Sequence, residues 1–399
     1  MTGRGRDDTA PPRGELWLLG GSLLFCFLTV RVLFGYSWLM DLYQKISVLG
    51  PSAQYDTCGP KDFGQTTNIP GVYHAKVNGG ICRLFKVLQN NHCVNNCTYC
   101  AFRRDRNCVR ARTSPAEMAK AFDSVYSRRL VDGLFLSSGV VGNSSKTMTE
   151  MLDTVNLLRD KYNYQGYVHL KLMPETPLGC LQEAFRVSNR ISLNIESPTE
   201  EDLKLLSPEK SLRSGFFKTL NIIKNELKRL KFQGKRTPSV TTQFVAGAGK
   251  EKDSEILRIT HLLYKSYNLK RVFYSAFRPI KETPLENRPA ASLVRHHRLY
   301  QADWLMRFYK FLPEDIALDE DGFLLEAEDP KMAWARKHPE AYPVNLNKAG
   351  YWQLLKVPGI GPASAKKIME IRKESRIRDF YQLRGKRFQV KKIQEFICF

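Results

Sequence analysis

From residue 84 onward, short apolar runs alternate with longer stretches whose apolar residues recur every three or four positions. The runs at 84–88, 134–138, 167–172, 191–195, 240–245 and 271–276 predict strands. Ser114, Pro115 and Glu117 open a predicted helix over 114–130, with a capping box and proline at the first helical position. In 147–161, Met148, Met151, Leu152, Val155 and Leu158 fall on one helical face. Residues 212–231 place Leu220, Ile223, Leu227 and Leu230 on one side in the same way. Six strand–helix repeats imply a parallel sheet with right-handed crossovers, too few for a closed eight-stranded barrel.

The flanks read differently. Residues 40–83 are an extension of the core, mostly a Gly/Asn-rich loop region up to Gly80. The repeats fill 84–289, and 290–343 form a linker. Within it 290–311 predicts a helix, and 313–330, with eight acidic residues and no Lys or Arg, a solvated loop. Residues 344–399 form a helical module in which two helices meet at Pro358-Gly359-Ile360-Gly361. At the other end, 1–39 form a tail, and 16–40 are apolar apart from Arg31 and a few small polar residues. That length suits a membrane anchor, although a mid-span arginine costs about 2.5–3.5 kcal/mol on insertion scales. The other reading is an upstream extension before a start at Met40.

Charge changes the picture. A formal net charge of +22 on 399 residues points to a polyanionic partner, nucleic acid or an acidic membrane surface. The bias is local. Residues 204–236 hold ten Lys/Arg against two Asp/Glu, and 344–399 hold thirteen against four. Nine cysteines in a chain this long do not make a secreted disulfide scaffold, so we read a reducing, cytoplasmic compartment with thiols kept for metal. With a true anchor, the rest of the chain would still face the cytoplasm.

Three of those cysteines, Cys93, Cys97 and Cys100, share one loop just after the first predicted strand. Strand ends of this kind are where barrels keep their chemistry. Three thiolates can hold a [4Fe–4S] cluster with one iron left open to a ligand. With His92 they could instead form a structural zinc knot, although no second cysteine pair follows downstream. Cys58, Cys82 and Cys108 lie nearby at wide spacings, leaving an auxiliary cluster or buried free thiols as the readings.

The Cys-x3-Cys-x2-Cys triplet, with aromatic Tyr99 before its last cysteine, resembles the signature of the radical S-adenosyl-L-methionine (radical SAM) superfamily. The resemblance implies a partial, splayed (βα)6 barrel of TIM type, an α/β fold. It implies that Cys93, Cys97 and Cys100 bind a [4Fe–4S] cluster whose open iron chelates S-adenosyl-L-methionine. An electron donor would then let the cluster generate a 5′-deoxyadenosyl radical. Strand ends would surround the cofactor. Ser137, Ser138 and Gly139 stand where the family usually has Gly-Gly-Glu; Asn194 and Glu196 suit ribose and amino groups; Gln243, Val245 and Gly247 resemble the adenine side. Tyr274, Phe277 and Arg278 leave two readings, a base-binding edge or core plus surface charge, and so do His296, His297 and Arg298.

The carboxyl-terminal pattern resembles a helix-hairpin-helix DNA-binding motif. Gly359 and Gly361 allow a tight turn and expose backbone N–H groups at a helix amino terminus, Ile360 plugs between the helices, and Lys366 and Lys367 add charge. Such a module grips phosphate without reading sequence. Residues 40–399 together resemble a DNA modification or repair radical SAM family. The resemblance implies an enzyme acting on nucleic acid, DNA favoured, whose reaction product it does not specify. The alternatives are a tRNA-modifying radical SAM enzyme and a non-catalytic DNA-binding protein with a structural metal.

Overall fold

A computed structural model describes residues 38–56, 68–77, 80–383 and 393–399. Seven strands form one sheet in sequential order: β1 (Val72–Val77), β2 (Gly80–Leu88), β3 (Gly133–Ser137), β4 (Tyr167–Lys171), β5 (Arg190–Ser192), β6 (Ser239–Ala246) and β7 (Arg271–Ala276). β1 pairs antiparallel with β2, and every later neighbour is parallel. Parallel strands in chain order, all crossed over with one hand, wind the sheet in one direction. β1 and β7 remain its two edges. The result is the α/β partial barrel that the alternation predicts, with helices over the outer face and polar side chains in the lumen.

The helices follow local chemistry. α1 (Trp38–Ser52) leads into the sheet and packs on β2. α2 (Pro115–Ser127) carries the expected capping box, Ser114 with Glu117. Asn143 caps α3 (Ser144–Asp160), and Thr199 caps α5 (Glu200–Leu206). α4 is Leu178–Val187, α6 is Lys218–Phe232 and α7 is Asp253–Tyr267. A π-helical turn, Leu212–Phe217, replaces the first part of the helix expected from residue 212. Ser192 stays the last ladder residue of β5, short of the expected end at 195. Thr242 Oγ1 instead takes the Ile195 N–H, and Glu196 makes one isolated bridge to Phe244.

Beyond the sheet come α8 (Leu293–Phe308), α9 (Pro330–Lys337), α10 (Tyr351–Lys356) and α11 (Pro362–Glu374). A short parallel pair, β8 (Val344–Asn345) with β9 (Ile397–Cys398), closes the otherwise helical terminal module. Two expectations change. The Gly/Asn-rich region before residue 80 contains edge strand β1. The acidic stretch 313–330 is not a simple solvated loop: Ile316, Ala317 and Leu324 are buried, and Leu324 N–H donates to Asp253. One buried core runs from Leu42 through the barrel to Ile397. Among the described residues no helix is long and apolar enough to cross a membrane. The anchor expected at 16–40 falls almost wholly outside them, as does Cys58.

Candidate active site

The cysteine loop leaves β2 through Gln89, Asn90 and Asn91, whose side chains are almost completely buried. Each amide ties down backbone. Asn90 closes on His92 N and O at 2.9 and 3.0 Å. Asn91 reaches Val109 O and Ala111 N, and Gln89 reaches Thr113 O and Thr154. Arg110 donates to four carbonyls, those of Asn91, Phe102, Arg103 and Arg106, at 2.6–2.9 Å. Gly139, just past β3, makes room: a Cβ there would lie 2.5 Å from His92 O and 3.2 Å from Cys93 Cβ. Its N–H donates to Asn90 O, and Val94 N–H to Val140 O. The loop therefore lies against the β3 end along several residues.

Each of the three sulfurs accepts a hydrogen bond. Val140 N–H donates to Cys93, the Ser207 hydroxyl to Cys97 and Phe102 N–H to Cys100, at 3.4, 2.8 and 3.4 Å. The thiols feel one another. Burial, reinforced by Cys97 and Cys93, pushes the Cys100 thiol up to about 12. Burial also raises Cys97, against the pull of Lys210. Among the described residues, no three His, Cys, Asp or Glu converge on a point where a single ion could sit. The three thiols share one loop and each already accepts a hydrogen bond, a donor set compatible with a cluster held by three thiolates. Cys82 and Cys108 are free thiols as well.

Beside the thiols stands a buried pair that the sequence reading placed only in part. Glu196 is 4% exposed and holds φ +65°, a sparsely populated backbone state for a non-glycine. Lys210 Nζ lies 3.0 Å from its carboxylate. Burial pulls the Lys210 ammonium down, but Glu196 and Cys97 outweigh it and hold its pKa well above the ordinary lysine value. Lys210 read from sequence as one of ten cations in a surface stripe; the fold turns it inward. Tyr99 shares the spot, its phenol pushed well up by burial and by Glu196, to which it hydrogen-bonds.

The remaining expected residues divide. Ser137 is buried and its carbonyl takes Gln89 N–H; Ser138 Oγ donates to Gly139 O at 2.7 Å. Val245 joins Leu206, Ala248 and Phe277 in a small apolar cluster against Tyr99. Gly247 has φ +91°, and a Cβ there would meet Ala291 Cβ at 2.5 Å. Glu251, buried, accepts from both Gly247 N–H and Gly249 N–H at 2.5 and 3.0 Å, so these amides are already engaged. Asn194 and Gln243 line a lumen cavity with Asp56, His169, Ser192, Thr241 and two phenylalanines. It has room for about one water molecule. His169 Nε2 is buried there without a partner, and burial, aided by Arg190, Lys171 and Lys86, pushes the imidazole well down toward its neutral form.

Asp56 pairs with Lys171 at the cavity edge, and Gln243 donates to Tyr55 O. Tyr274 resolves to core: it stacks on Phe244 and bonds Thr260. Phe277 lies in the apolar cluster and Arg278 is exposed. His296 bonds Tyr274 O, and Arg298 bonds Glu326 O, so both act in packing. Lys210, Ser207, Asp56 and His169 had no motif around them to mark them.

The hairpin joins α10 to α11. Gly359 takes φ +81°, Gly361 is the N-cap of α11, and Ile360 is 1% exposed between the helices. Lys366 and Lys367 are exposed. Lys331, from α9, donates to Ile360 O at 2.6 Å, and burial pushes its ammonium down to about 7.

A helix-hairpin-helix motif family matches residues 340–394. No curated protein matches the chain. Among solved structures it is similar to the FeFe-hydrogenase maturase HydG from Carboxydothermus hydrogenoformans, at 16% identity over 55% of this chain and 50% of that one, TM-score 0.41. This chain thus covers half of that protein's length. It is also similar to methylornithine synthase (PylB), at 15% identity over 70% and 73% of the two chains, TM-score 0.43. A radical SAM methyltransferase from Sphaerobacter thermophilus matches at 14% identity over 58% and 65%, TM-score 0.41.

Proposed function

We propose that this chain is a radical SAM iron–sulfur enzyme acting on nucleic acid, DNA favoured, in a modification or repair reaction. The observation that carries the reading is three neighbouring thiols, each accepting a hydrogen bond, on one immobilised loop at the carboxyl end of the first parallel strand. Cys93, Cys97 and Cys100 are assigned to the [4Fe–4S] cluster. Bound together, the cluster and S-adenosyl-L-methionine would supply one-electron chemistry that ends in hydrogen abstraction, given an electron donor.

The chain's own part is electrostatic and steric. Hydrogen bonds to the sulfurs favour the thiolate form and tune the cluster. Lys210 offsets the negative charge of Glu196 and of the Cys97 thiolate. Tyr99, Val245 and Phe277 supply an apolar wall that keeps water off. Ser137, Ser138, Gly139, Asn194, Glu196, Gln243 and Gly247 would surround the S-adenosyl-L-methionine. Gly359, Gly361, Lys366 and Lys367 grip phosphate, presenting a nucleotide that must leave its stack to be reached. The described cysteines are all free thiols, in keeping with the cytoplasmic placement.

The test is anaerobic reconstitution of the full chain with iron and sulfide, then S-adenosyl-L-methionine and a reductant. We expect about four irons per chain, 5′-deoxyadenosine as product and loss of both in Cys97→Ala. Zinc in place of iron, or no cleavage by the reconstituted protein, would overturn the reading. Mass spectrometry of oligonucleotides from the same reaction identifies the product, with a transfer RNA arm to separate the two polymers.

A further inference from the structure

Trp304 and Phe308 lie one turn apart on α8 and are 45% and 39% exposed; Trp352, on α10, is 43% exposed. A contiguous exposed apolar patch, such as the Trp304–Phe308 pair, marks an interaction site rather than a core. The Trp304 and Phe308 rings are in contact at 4.4 Å between centroids. Cations lie on these rings: Arg307 over Phe308 at 4.6 Å and Lys310 over Trp352 at 4.0 Å. The patch also reaches the hairpin. Tyr309, next to Phe308 in the chain, turns its phenol toward the hairpin: its oxygen lies 3.4 Å from where a Cβ on Gly361 would sit. Lys331, bound to Ile360 O, covers the Tyr309 ring at 4.8 Å. The buried Tyr309 thus connects the aromatic pair on α8 to the start of α11 from beneath.

We propose that Trp304, Phe308 and Trp352 form a stacking platform for unpaired DNA bases beside the phosphate-gripping hairpin. The surface then takes single-stranded or locally opened DNA in preference to closed duplex. The argument is chemical. A hairpin alone holds backbone and cannot tell paired from unpaired bases. Aromatic faces stack any base, but only one freed from its partner, and flanking cations hold the adjoining phosphates. Arg307 is already paired with Asp303, so it is the exposed Lys310, with Lys366 of the hairpin, that offers positive charge to a polyanion beside the rings. The inference rests on the nucleic-acid reading above, and it supplies what a barrel enzyme needs from its substrate, a base already out of the helix.

The experiment uses the full chain and two fluorescein-labelled probes at one salt concentration, an oligodeoxynucleotide and its duplex, read by fluorescence anisotropy. Trp304→Ala and Trp352→Ala should each weaken single-strand binding by about fivefold or more. Duplex binding should change by less than about twofold. Trp304→Phe, which keeps a ring, should restore most of the loss. Unchanged single-strand affinity in both alanine variants, or equal loss on both probes with no rescue by phenylalanine, overturns the platform. If the wild-type chain retains the duplex and Lys366→Glu weakens that binding, such a result leaves the nucleic-acid reading standing. If the wild type binds neither probe, that reading falls too.

Discussion

In the cysteine loop, Gln89, Asn90 and Asn91 are at most 1% exposed and each side-chain amide bridges backbone, while Arg110 takes up four carbonyls. In the terminal module, Lys366, Lys367 and Trp352 stand in solvent, and the Lys367–Glu370 pair, at 3.7 Å, is a surface contact of little worth. The loop uses its polar atoms on itself; the module leaves its own for something else. A rigid inorganic cluster needs ligands fixed in advance, because each misplaced sulfur loses a bond. A flexible polymer needs charge and ring faces that can adjust, since its own backbone conforms to them. On the proposed function, the contrast is between two binding tasks written differently in side chains of similar polarity.

If the loop is self-satisfied as described, Arg110→Ala should produce the largest effect. Up to four carbonyls lose a donor, and each unsatisfied buried group costs about 1–3 kcal/mol. We expect at least about 3 kcal/mol of destabilisation, measured by urea unfolding, with iron uptake reduced in parallel. An Arg110→Ala protein as stable as wild type would break the comparison. Gly139→Ala is the next test. Its new Cβ meets a backbone carbonyl, which cannot swing away like a side chain, so about 1–3 kcal/mol is expected. Reduced iron per chain, with far-ultraviolet circular dichroism unchanged, would locate the damage in the loop.

The module should respond to charge far more than to packing. Lys366→Glu and Lys367→Glu should weaken binding to any DNA sequence alike and lower the salt slope by about one each. Their unfolding midpoints should stay near that of wild type. The smallest effect concerns pH. Lys331 titrates near 7 in the fold and near 10.4 when unfolded, so between these values the unfolded chain holds the extra proton. Stability should therefore rise with pH across that window, and Lys331→Met should remove this part of the rise. The readout is the wild-type minus variant difference in urea midpoint from pH 7 to pH 10.

The barrel was legible because its signals are local. Apolar runs and amphipathic faces gave six parallel strands, and Ser114 with Glu117 announced a helix start that the structure reproduces. The triplet, the hairpin glycines and Ile360 were legible for the same reason: the whole pattern fits within a few residues. β1 was missed because its polar His74 and Lys76, between glycines, read like a loop; it is an edge strand that needs little apolar content. The polar partners around the thiols and the lumen cavity were missed because they are distant in sequence. Asp56 meets Lys171 from 115 positions away, and Ser207 meets Cys97 from 110. Lys210 was hidden among cations with the same composition and a different destination. Glu196 was singled out, but its left-handed backbone was not, since nothing in Asn-Ile-Glu-Ser demands it.

Gly139 has a further consequence for how the protein is made. The gap it leaves exists only once β2 and β3 lie side by side, because His92 and Gly139 belong to different strand ends. Until those two strands have found each other, the sulfurs have no wall to lean on and no order in space. If the loop takes up the proposed cluster, its insertion would follow this first parallel pairing, and a nascent polypeptide halted before residue 139 would have little to offer the machinery that delivers it.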